Sequence, residues 1–98
     1  MRLRDKVAVI TGSGRGIGRL VAIGMAKEGA KVVVNGTTSE RVDRVVAEIK
    51  ELDGEAVGNC NDIATLAGAE GLIKTAIDNF GRIDILVNNA GISRDAMF

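Results

Sequence analysis

The stretch Val7-Ala-Val-Ile-Thr-Gly-Ser-Gly-Arg-Gly-Ile-Gly18 joins a short apolar run to the start of a longer helical pattern. Residues 7–11 show no alternation of apolar and polar side chains, which is typical of a strand buried on both faces of a parallel sheet. Residues 17–26 predict a helix that ends at Glu28-Gly29. Gly24 inside this helix predicts close packing against a neighbouring element. A buried strand, a glycine-rich loop and a helix therefore follow one another.

The same alternation continues in the next part of the chain. Residues Lys31–Asn35 repeat the pattern of a buried strand. Thr38 or Ser39 is predicted to cap a second helix, which Gly54 ends. Apolar residues at a spacing of three and four form one face of this helix, namely Val42, Val45, Val46, Ile49 and Leu52. Charged residues, Arg41 among them, occupy the other face.

The last part of the chain adds a strand, a helix and a strand. Residues 55–60 form a weaker strand pattern, and residues 83–87 form a fourth one. The helix between them stops at Gly81, and its predicted apolar stripe consists of Leu66, Ala69, Ile73, Ala76, Ile77 and Phe80. Strands that alternate with helices predict a parallel sheet in an α/β fold. Right-handed crossovers give the strand order 3-2-1-4, with the first two helices on one face and the third on the other.

Composition excludes several classes of function. The 98 residues carry 13 basic and 13 acidic side chains, no His and a single Cys, Cys60. A net charge of zero argues against a nucleic-acid surface or a polybasic membrane anchor. Without His and with one Cys, no metal site, His-based triad or internal disulfide is expected. The start lacks the apolar core of a signal peptide, so a cytoplasmic location is predicted, and Cys60 is interpreted as a small buried apolar residue.

The glycine loop after the first strand predicts a dinucleotide site. Pyrophosphate needs close backbone approach, free N–H groups and the positive end of a helix dipole, and a glycine loop before a helix supplies all three. The spacing is Gly12-x-x-x-Gly16-x-Gly18, which matches neither strict G-x-G-x-x-G nor the Walker pattern. The alternative is a tight strand-to-helix turn without a ligand. The position at the first strand–helix joint favours the dinucleotide and a Rossmann-type domain.

The end of the second strand indicates which dinucleotide is bound. NAD-binding domains usually place an acidic residue there, about 20 residues after the loop, on the adenosine ribose. This chain has Asn35-Gly-Thr-Thr38 and no carboxylate, so a 2′-phosphate is not repelled. Arg15 provides a counter-charge, and Thr37 and Thr38 can donate hydrogen bonds. NADP(H) is therefore favoured over NAD(H), the alternative being that Arg15 is a solvated loop cation.

Three motifs resemble the short-chain dehydrogenase/reductase family. They are residues 11–18, the Asn61-Asp62-Ile63 segment, and residues 84–91, which read Asp-Ile-Leu-Val-Asn-Asn-Ala-Gly. With Ile-Ser-Arg-Asp at 92–95, the chain is most similar to bacterial 3-oxoacyl-(acyl-carrier-protein) reductases. The resemblance spans residues 1–98 and implies the NAD(P)-binding N-terminal half of one Rossmann-type domain. It also implies reduction of a carbonyl to an alcohol, with a β-ketoacyl thioester as substrate, in fatty acid biosynthesis.

The resemblance also implies roles for individual residues. The diphosphate would lie on Gly12, Ser13, Gly14, Arg15, Gly16, Ile17 and Gly18. Thr37 would join Arg15 at the 2′-phosphate, while Asp62 would bind the adenine amino group with Ile63 packed beside it. The nicotinamide ribose would lie over Asn89, Ala90 and Gly91, and Asn88 would hold the central strands together. Alternatively, Asp62 caps the following helix and the two asparagines only satisfy a turn.

The catalytic residues of the resembling reductases are not predicted in this chain. Those reductases use a Ser, a Tyr, a Lys and an Asn that follow the Asn-Asn-Ala-Gly segment by several tens of positions. The sequence contains no Tyr, and Ser93 is too close to the fourth strand to match. The 98-residue chain alone is therefore expected to be inactive, with a non-catalytic nucleotide-binding half-domain as the alternative reading.

The predicted fold is also incomplete. One helix cannot shield a face of four strands, and the fourth strand would be an unpaired apolar edge. We therefore expect self-association or pairing with a completing C-terminal chain.

Overall fold

The computed structural model describes residues 2–89. The elements are β1 (Val7–Ile10), α1 (Gly16–Lys27), β2 (Lys31–Asn35), α2 (Ser39–Glu51), β3 (Glu55–Asn59), α3 (Leu66–Phe80) and β4 (Ile85–Val87). All strand pairs are parallel, and the sheet order is β3-β2-β1-β4. The predicted α/β class and strand order are confirmed. No helix of this described range is long and apolar enough to cross a membrane.

The two central strands are buried on both faces, which explains their continuous apolar sequences. On one face, Ala8 and Val32 belong to a core with Ala22 of α1 and Val45 of α2. On the other face, the buried cluster is Val9, Val33, Leu72 and Ala76, so α3 alone covers it. Each fully buried Val contributes about 1.5–3 kcal/mol relative to an exposed one. The predicted division of the helices between the two faces is confirmed.

Details of the first two helices differ from the prediction. Gly24 is exposed, and a Cβ there would meet nothing within 4 Å, so it does not mediate close packing. Leu52 lies just beyond α2 and is 48% exposed, because the helix has already ended. The left-handed residue after the helix is Asp53, with φ 63°, and not Gly54, which was predicted to end the helix. Gly54 is instead limited by space, since a Cβ there would lie 2.8 Å from Ile49 Cγ2.

The buried face of α3 agrees only in part with the predicted stripe, since Ala76 is buried and Phe80 packs against the core as predicted. Its buried residues are Gly68, Leu72 and Ala76, whereas three predicted core residues are exposed, namely Leu66, Ile73 and Ile77. The start of the helix sets its rotation. Gly68 N–H donates to Thr65 Oγ1 at 2.9 Å, and a Cβ at Gly68 would collide with the Asp62 carbonyl. Gly68 therefore lies against backbone, and the residues four and eight positions later face the sheet.

The third and fourth strands are shorter than predicted. The third ends before Cys60, which is exposed, so its interpretation as a buried residue was wrong.

Asp84 precedes the fourth strand, and Val7 N–H donates to Asp84 Oδ2 at 2.9 Å. Hydrogen bonds from Arg82 and then from Val7 lower the pKa of Asp84 below its ordinary value. A carboxylate therefore fixes the start of β4 to the start of β1.

Candidate functional site

A cleft of about 670 Å³ lies at the carboxyl ends of β1, β2 and β3. This is the end of a parallel sheet at which open α/β folds bind ligands. Of the residues predicted to form the site, the cleft is lined by Gly12, Gly14, Arg15, Gly16, Thr37, Asp62 and Ile63. The structure thus brings together residues from three separate loops. Asn88 also lines the cleft.

The glycine loop presents free backbone donors to the cleft. Helix α1 begins at Gly16, whose φ of 60° suits glycine and around which a Cβ would meet nothing within 4 Å. Arg15 is the N-cap residue and its side chain makes no capping hydrogen bond. Within the described range, the backbone N–H groups of residues 14–17 form no hydrogen bond. Free N–H groups at the positive end of a helix dipole are suited to a phosphate group.

Three predicted loop residues do not line the cleft. Ser13 is buried, and its hydroxyl donates to the Ile10 carbonyl at 2.6 Å. Ile17 is 70% exposed. A Cβ at Gly18 would collide with the Gly12 carbonyl oxygen and lie 2.7 Å from Asn89 Nδ2. Ser13 and Gly18 therefore fix the shape of the loop from beneath.

A chain of side-chain amides supports the loop. Gly12 N–H donates to Asn35 Oδ1 at 3.4 Å, and Asn35 Nδ2 donates to Asn59 Oδ1 at 3.0 Å and to the Asn61 carbonyl at 3.2 Å. Asn59 Nδ2 in turn donates to Asn61 Oδ1 at 2.8 Å and to Thr75 Oγ1 at 2.9 Å. Asn35 and Asn59 are buried. The signal in the sequence is an Asn at the carboxyl end of each of two neighbouring strands, β2 and β3.

The opposite wall of the cleft carries Thr37, Thr38, Arg41 and Asp62. Arg41 lies on the predicted charged face of α2 and is exposed, and its place in the cleft adds to that prediction. Thr38 is the N-cap residue of α2, as one of the two predicted alternatives, but its side chain makes no capping hydrogen bond. Asp62 Oδ1 accepts from Ala64 N–H at 2.9 Å. Because Thr65 caps α3, the alternative role of Asp62 as the helix cap is wrong.

Two asparagines join the end of β4 to the loop after β1. Thr11 Oγ1 lies 3.3 Å from Asn88 Oδ1, and Asn89 N–H donates to Thr11 Oγ1 at 2.9 Å. Asn89 Nδ2 donates to the Gly12 carbonyl at 3.1 Å. Ala90 and Gly91, also predicted as site residues, lie outside the described residues. Between residues 2 and 89, no group of three or more His, Cys, Asp or Glu side chains is placed to hold a metal ion.

The fold and the cleft together define a Rossmann-type α/β domain, with a parallel sheet, a glycine loop after the first strand and a cleft at the strand ends. The sequence model described as short chain dehydrogenase matches residues 6–98. The chain therefore belongs to the short-chain dehydrogenase family, oxidoreductases that bind a nicotinamide dinucleotide. The family resemblance inferred from the motifs is confirmed.

Curated relatives are much longer than this chain. It is 45% identical to peroxisomal multifunctional enzyme A of Dictyostelium discoideum, covering 100% of this chain and 24% of that protein. It is 48% identical to a 3-oxoacyl-(acyl-carrier-protein) reductase of a Synechocystis species, covering 97% of this chain and 39% of the reductase. Among solved structures, a 7α-hydroxysteroid dehydrogenase complexed with NADH and 7-oxo glycochenodeoxycholic acid superposes with a TM-score of 0.87. The two are 42% identical, over 89% of this chain and 34% of the dehydrogenase.

Proposed function

We propose that this chain is the cofactor-binding part of an NADP(H)-dependent reductase that converts a carbonyl to an alcohol. The observation that carries the proposal is a cleft with free backbone N–H groups on the glycine loop and arginines on its walls. A β-ketoacyl thioester, carried by acyl-carrier protein, is the proposed substrate. The 3-oxoacyl-(acyl-carrier-protein) reductase at 48% identity supports this choice. Fatty acid biosynthesis and a cytoplasmic location are parts of the same proposal.

The donors of the cleft fit a dinucleotide diphosphate. The loop from Gly12 to Gly18 would bind it through backbone N–H groups, since those of residues 14–17 have no protein partner in the described range. Gly16 leaves open space above the start of the helix. Every helix leaves such donors free at its first turn, and here Arg15, Gly16 and Ile17 are exposed. What favours a phosphate ligand is the place of these donors at the carboxyl end of the first strand of a parallel sheet.

The cofactor preference rests on the charges beyond the diphosphate. β2 ends in Asn35 followed by Gly36, so this strand end offers no carboxylate to a ribose 2′-hydroxyl. Arg15 and Thr37 line the cleft and would bind a 2′-phosphate by a charge-assisted hydrogen bond and a hydroxyl donor. The related 7α-hydroxysteroid dehydrogenase is complexed with NADH, so the relatives support a nicotinamide dinucleotide in general. The preference for NADP(H) is our proposal from the residues of this chain.

The other predicted residues would hold the two ends of the cofactor. The Asp62 carboxylate, exposed and held at Oδ1 by Ala64 N–H, would accept from the adenine amino group, with Ile63 beside it. Asn89, together with Ala90 and Gly91, would lie under the ribose nearer the nicotinamide. When bound, the nicotinamide supplies the hydride for the reduction. The residues of this chain bind and orient that cofactor, and with no Tyr in the sequence they offer no phenol as general acid.

The first test is cofactor binding by the chain. We expect saturable binding of NADPH without carbonyl turnover, measured by fluorescence titration and by assay with a β-ketoacyl thioester. Arg15→Gln should weaken NADPH binding about tenfold and leave NADH within about twofold, because it removes one charge-assisted hydrogen bond. Lys27→Gln, which removes a charge from the far end of α1, is the matched control. Absence of NADPH binding to the wild type would contradict the proposed function.

We also propose that β4 is completed by a further segment of a longer protein. It pairs only with β1 in the described sheet, and Leu86 on this edge strand is 65% exposed. Ile73 and Ile77 of α3 are also exposed. An unpaired apolar edge is a template for association. The curated reductase is more than twice as long as this chain, which supports a completing segment.

Without that segment, the isolated chain should associate through the same edge. Sedimentation at increasing concentration is expected to show self-association, and Leu86→Lys should weaken it about tenfold because a charge on the edge opposes pairing. Leu52→Lys places the same charge at an exposed apolar residue far from β4 and should change nothing. A compact monomer at all concentrations would rule out the proposed pairing. If Leu86→Lys left the association unchanged, the contact between copies would lie elsewhere, and this result would also contradict the proposed pairing through β4.

A further inference from the structure

We propose that Arg41 is a second residue that binds the 2′-phosphate and, with Arg15, sets the preference for NADPH over NADH. The inference rests on the proposed dinucleotide function and assigns a role to a residue outside the family motifs. Its basis is the place of Arg41 in the cleft, its contact with the glycine loop and its lack of an ion-pair partner.

The position of Arg41 is fixed by the packing of α2 on the glycine loop. Arg41 is the third residue of the helix, and its Cβ lies 3.3 Å from where a Cβ of Gly14 would be. The backbone nitrogen of Val42 lies 3.7 Å from the same point. The first turn of α2 therefore abuts the loop, and the side chain of Arg41 begins at the cleft wall. Arg15 reaches the cleft from the loop that follows β1, and Arg41 reaches it from the first turn of α2.

The charge of Arg41 is uncompensated. Three cations of the described residues form ion pairs, namely Arg19 with Glu48, Lys74 with Asp78 and Arg82 with Asp84. Among residues 2–89, neither Arg15 nor Arg41 has a carboxylate within ion-pair distance. The cleft lining holds two arginines and one aspartate, Asp62. A concave site with excess positive charge attracts anionic ligands and strengthens their binding.

The chemistry indicates which anionic group Arg41 binds. The backbone N–H groups of residues 14–17 already provide donors for a diphosphate at the start of α1. Arg41 stands on the other wall, beside Thr37 and Thr38 at the end of β2, where the adenosine ribose of a dinucleotide lies in this class of fold. A guanidinium binds a phosphate through two parallel hydrogen bonds. The 2′-phosphate is the group that distinguishes NADPH from NADH at this place.

The test compares both cofactors on matched arginine variants. Dissociation constants for NADPH and NADH are measured by titration for the wild type, Arg41→Gln, Arg41→Lys and Arg44→Gln. Arg44 lies on the same helix, is exposed and does not line the cleft, so its variant removes the same charge outside the site. We expect Arg41→Gln to weaken NADPH about tenfold and NADH by less than twofold. The NADPH affinity of Arg41→Lys should lie between those of the wild type and Arg41→Gln, because an ammonium group keeps the charge but not the paired donors of the guanidinium. Arg44→Gln should bind both cofactors as the wild type does.

Two results would overturn the role of Arg41 while leaving the proposed function intact. A wild type that prefers NADPH and an Arg41→Gln variant with the same preference would show that Arg41 does not bind the 2′-phosphate. Equal weakening of both cofactors would place the contact at the diphosphate instead. A wild type that prefers NADH, or binds neither cofactor, would refute the proposed NADP(H) function itself. Thermal melting of each variant establishes that the compared chains are folded, as expected for an exposed residue.

Discussion

Gly18→Ala is expected to abolish detectable cofactor binding and to lower the free energy of unfolding by about 2–3 kcal/mol. A Cβ at this position would collide with the Gly12 carbonyl oxygen and lie 2.7 Å from Asn89 Nδ2. Relief requires the loop after β1 to move away from α1. That movement would break the hydrogen bond of 3.1 Å between Asn89 Nδ2 and the Gly12 carbonyl and displace the free N–H groups of the loop.

Gly24→Ala on the same helix is the matched control. Gly24 is exposed, and a Cβ there would meet nothing within 4 Å. Since alanine favours an exposed helix interior over glycine, this variant should gain about 1 kcal/mol. Urea unfolding and NADPH titration of both variants measure the two effects. If Gly18→Ala were as stable as the wild type and bound NADPH equally well, the close packing of loop and helix would not support the site.

The fold could be predicted because its main signals are local in the sequence. Residues 7–11 and Lys31–Asn35 lack polar alternation, and the structure buries these strands on both faces. The alternation with helices then permits few topologies, because crossovers are right-handed. Strand order and the division of the helices between the faces follow from these two facts.

The orientation of α3 could not be predicted because a backbone contact decides it. The apolar stripe through Leu66, Ile73 and Ile77 is a good helical pattern, yet these residues are exposed. Gly68 lies so close to the Asp62 carbonyl that no side chain fits. This contact joins a loop to a helix and leaves no hydrophobic signal in the sequence.

Only part of the cleft could be predicted, because some of its residues reach it through tertiary contacts that leave no signal in the sequence. Glycine spacing identified the loop after β1, while Arg41 was hidden among the charged residues of an amphipathic helix. Only the packing of α2 against Gly14 brings it to the cleft. The sequence identified Asn35 only as part of a strand end that lacks the acidic residue usual in NAD-binding domains. The hydrogen bonds from its side-chain amide to Asn59 and to the Asn61 carbonyl depend on strand pairing across the sheet. The contacts that Arg41 and Asn35 make across the fold thus left no motif in the sequence.

Asn35→Asp is expected to lower the free energy of unfolding by about 3–5 kcal/mol at pH 7, the usual cost of an uncompensated buried charge. Asn35 is 3% exposed. Its amide nitrogen donates to Asn59 Oδ1 at 3.0 Å and to the Asn61 carbonyl at 3.2 Å. A carboxylate oxygen in its place would face two acceptors and donate to neither. Loss of these two hydrogen bonds should also displace Gly12, whose N–H donates to Asn35 Oδ1, and should thereby weaken NADPH binding.

Acid should reverse this destabilisation in a defined direction. Burial and the facing oxygen atoms raise the pKa of the introduced carboxyl above about 3.9, the value of an exposed aspartate. The difference in stability from the wild type is therefore full above the raised pKa and shrinks as the pH falls towards 4, where a protonated carboxyl can donate to Asn59 Oδ1. Asn61→Asp is the control, because Asn61 is exposed and its Oδ1 only accepts, from Asn59 Nδ2 at 2.8 Å. Urea unfolding of both variants at pH 7 and pH 4 measures the effect. If Asn35→Asp lost the same free energy of unfolding at both pH values, its carboxyl group would be in contact with solvent or a cation and not with Asn59 and Asn61.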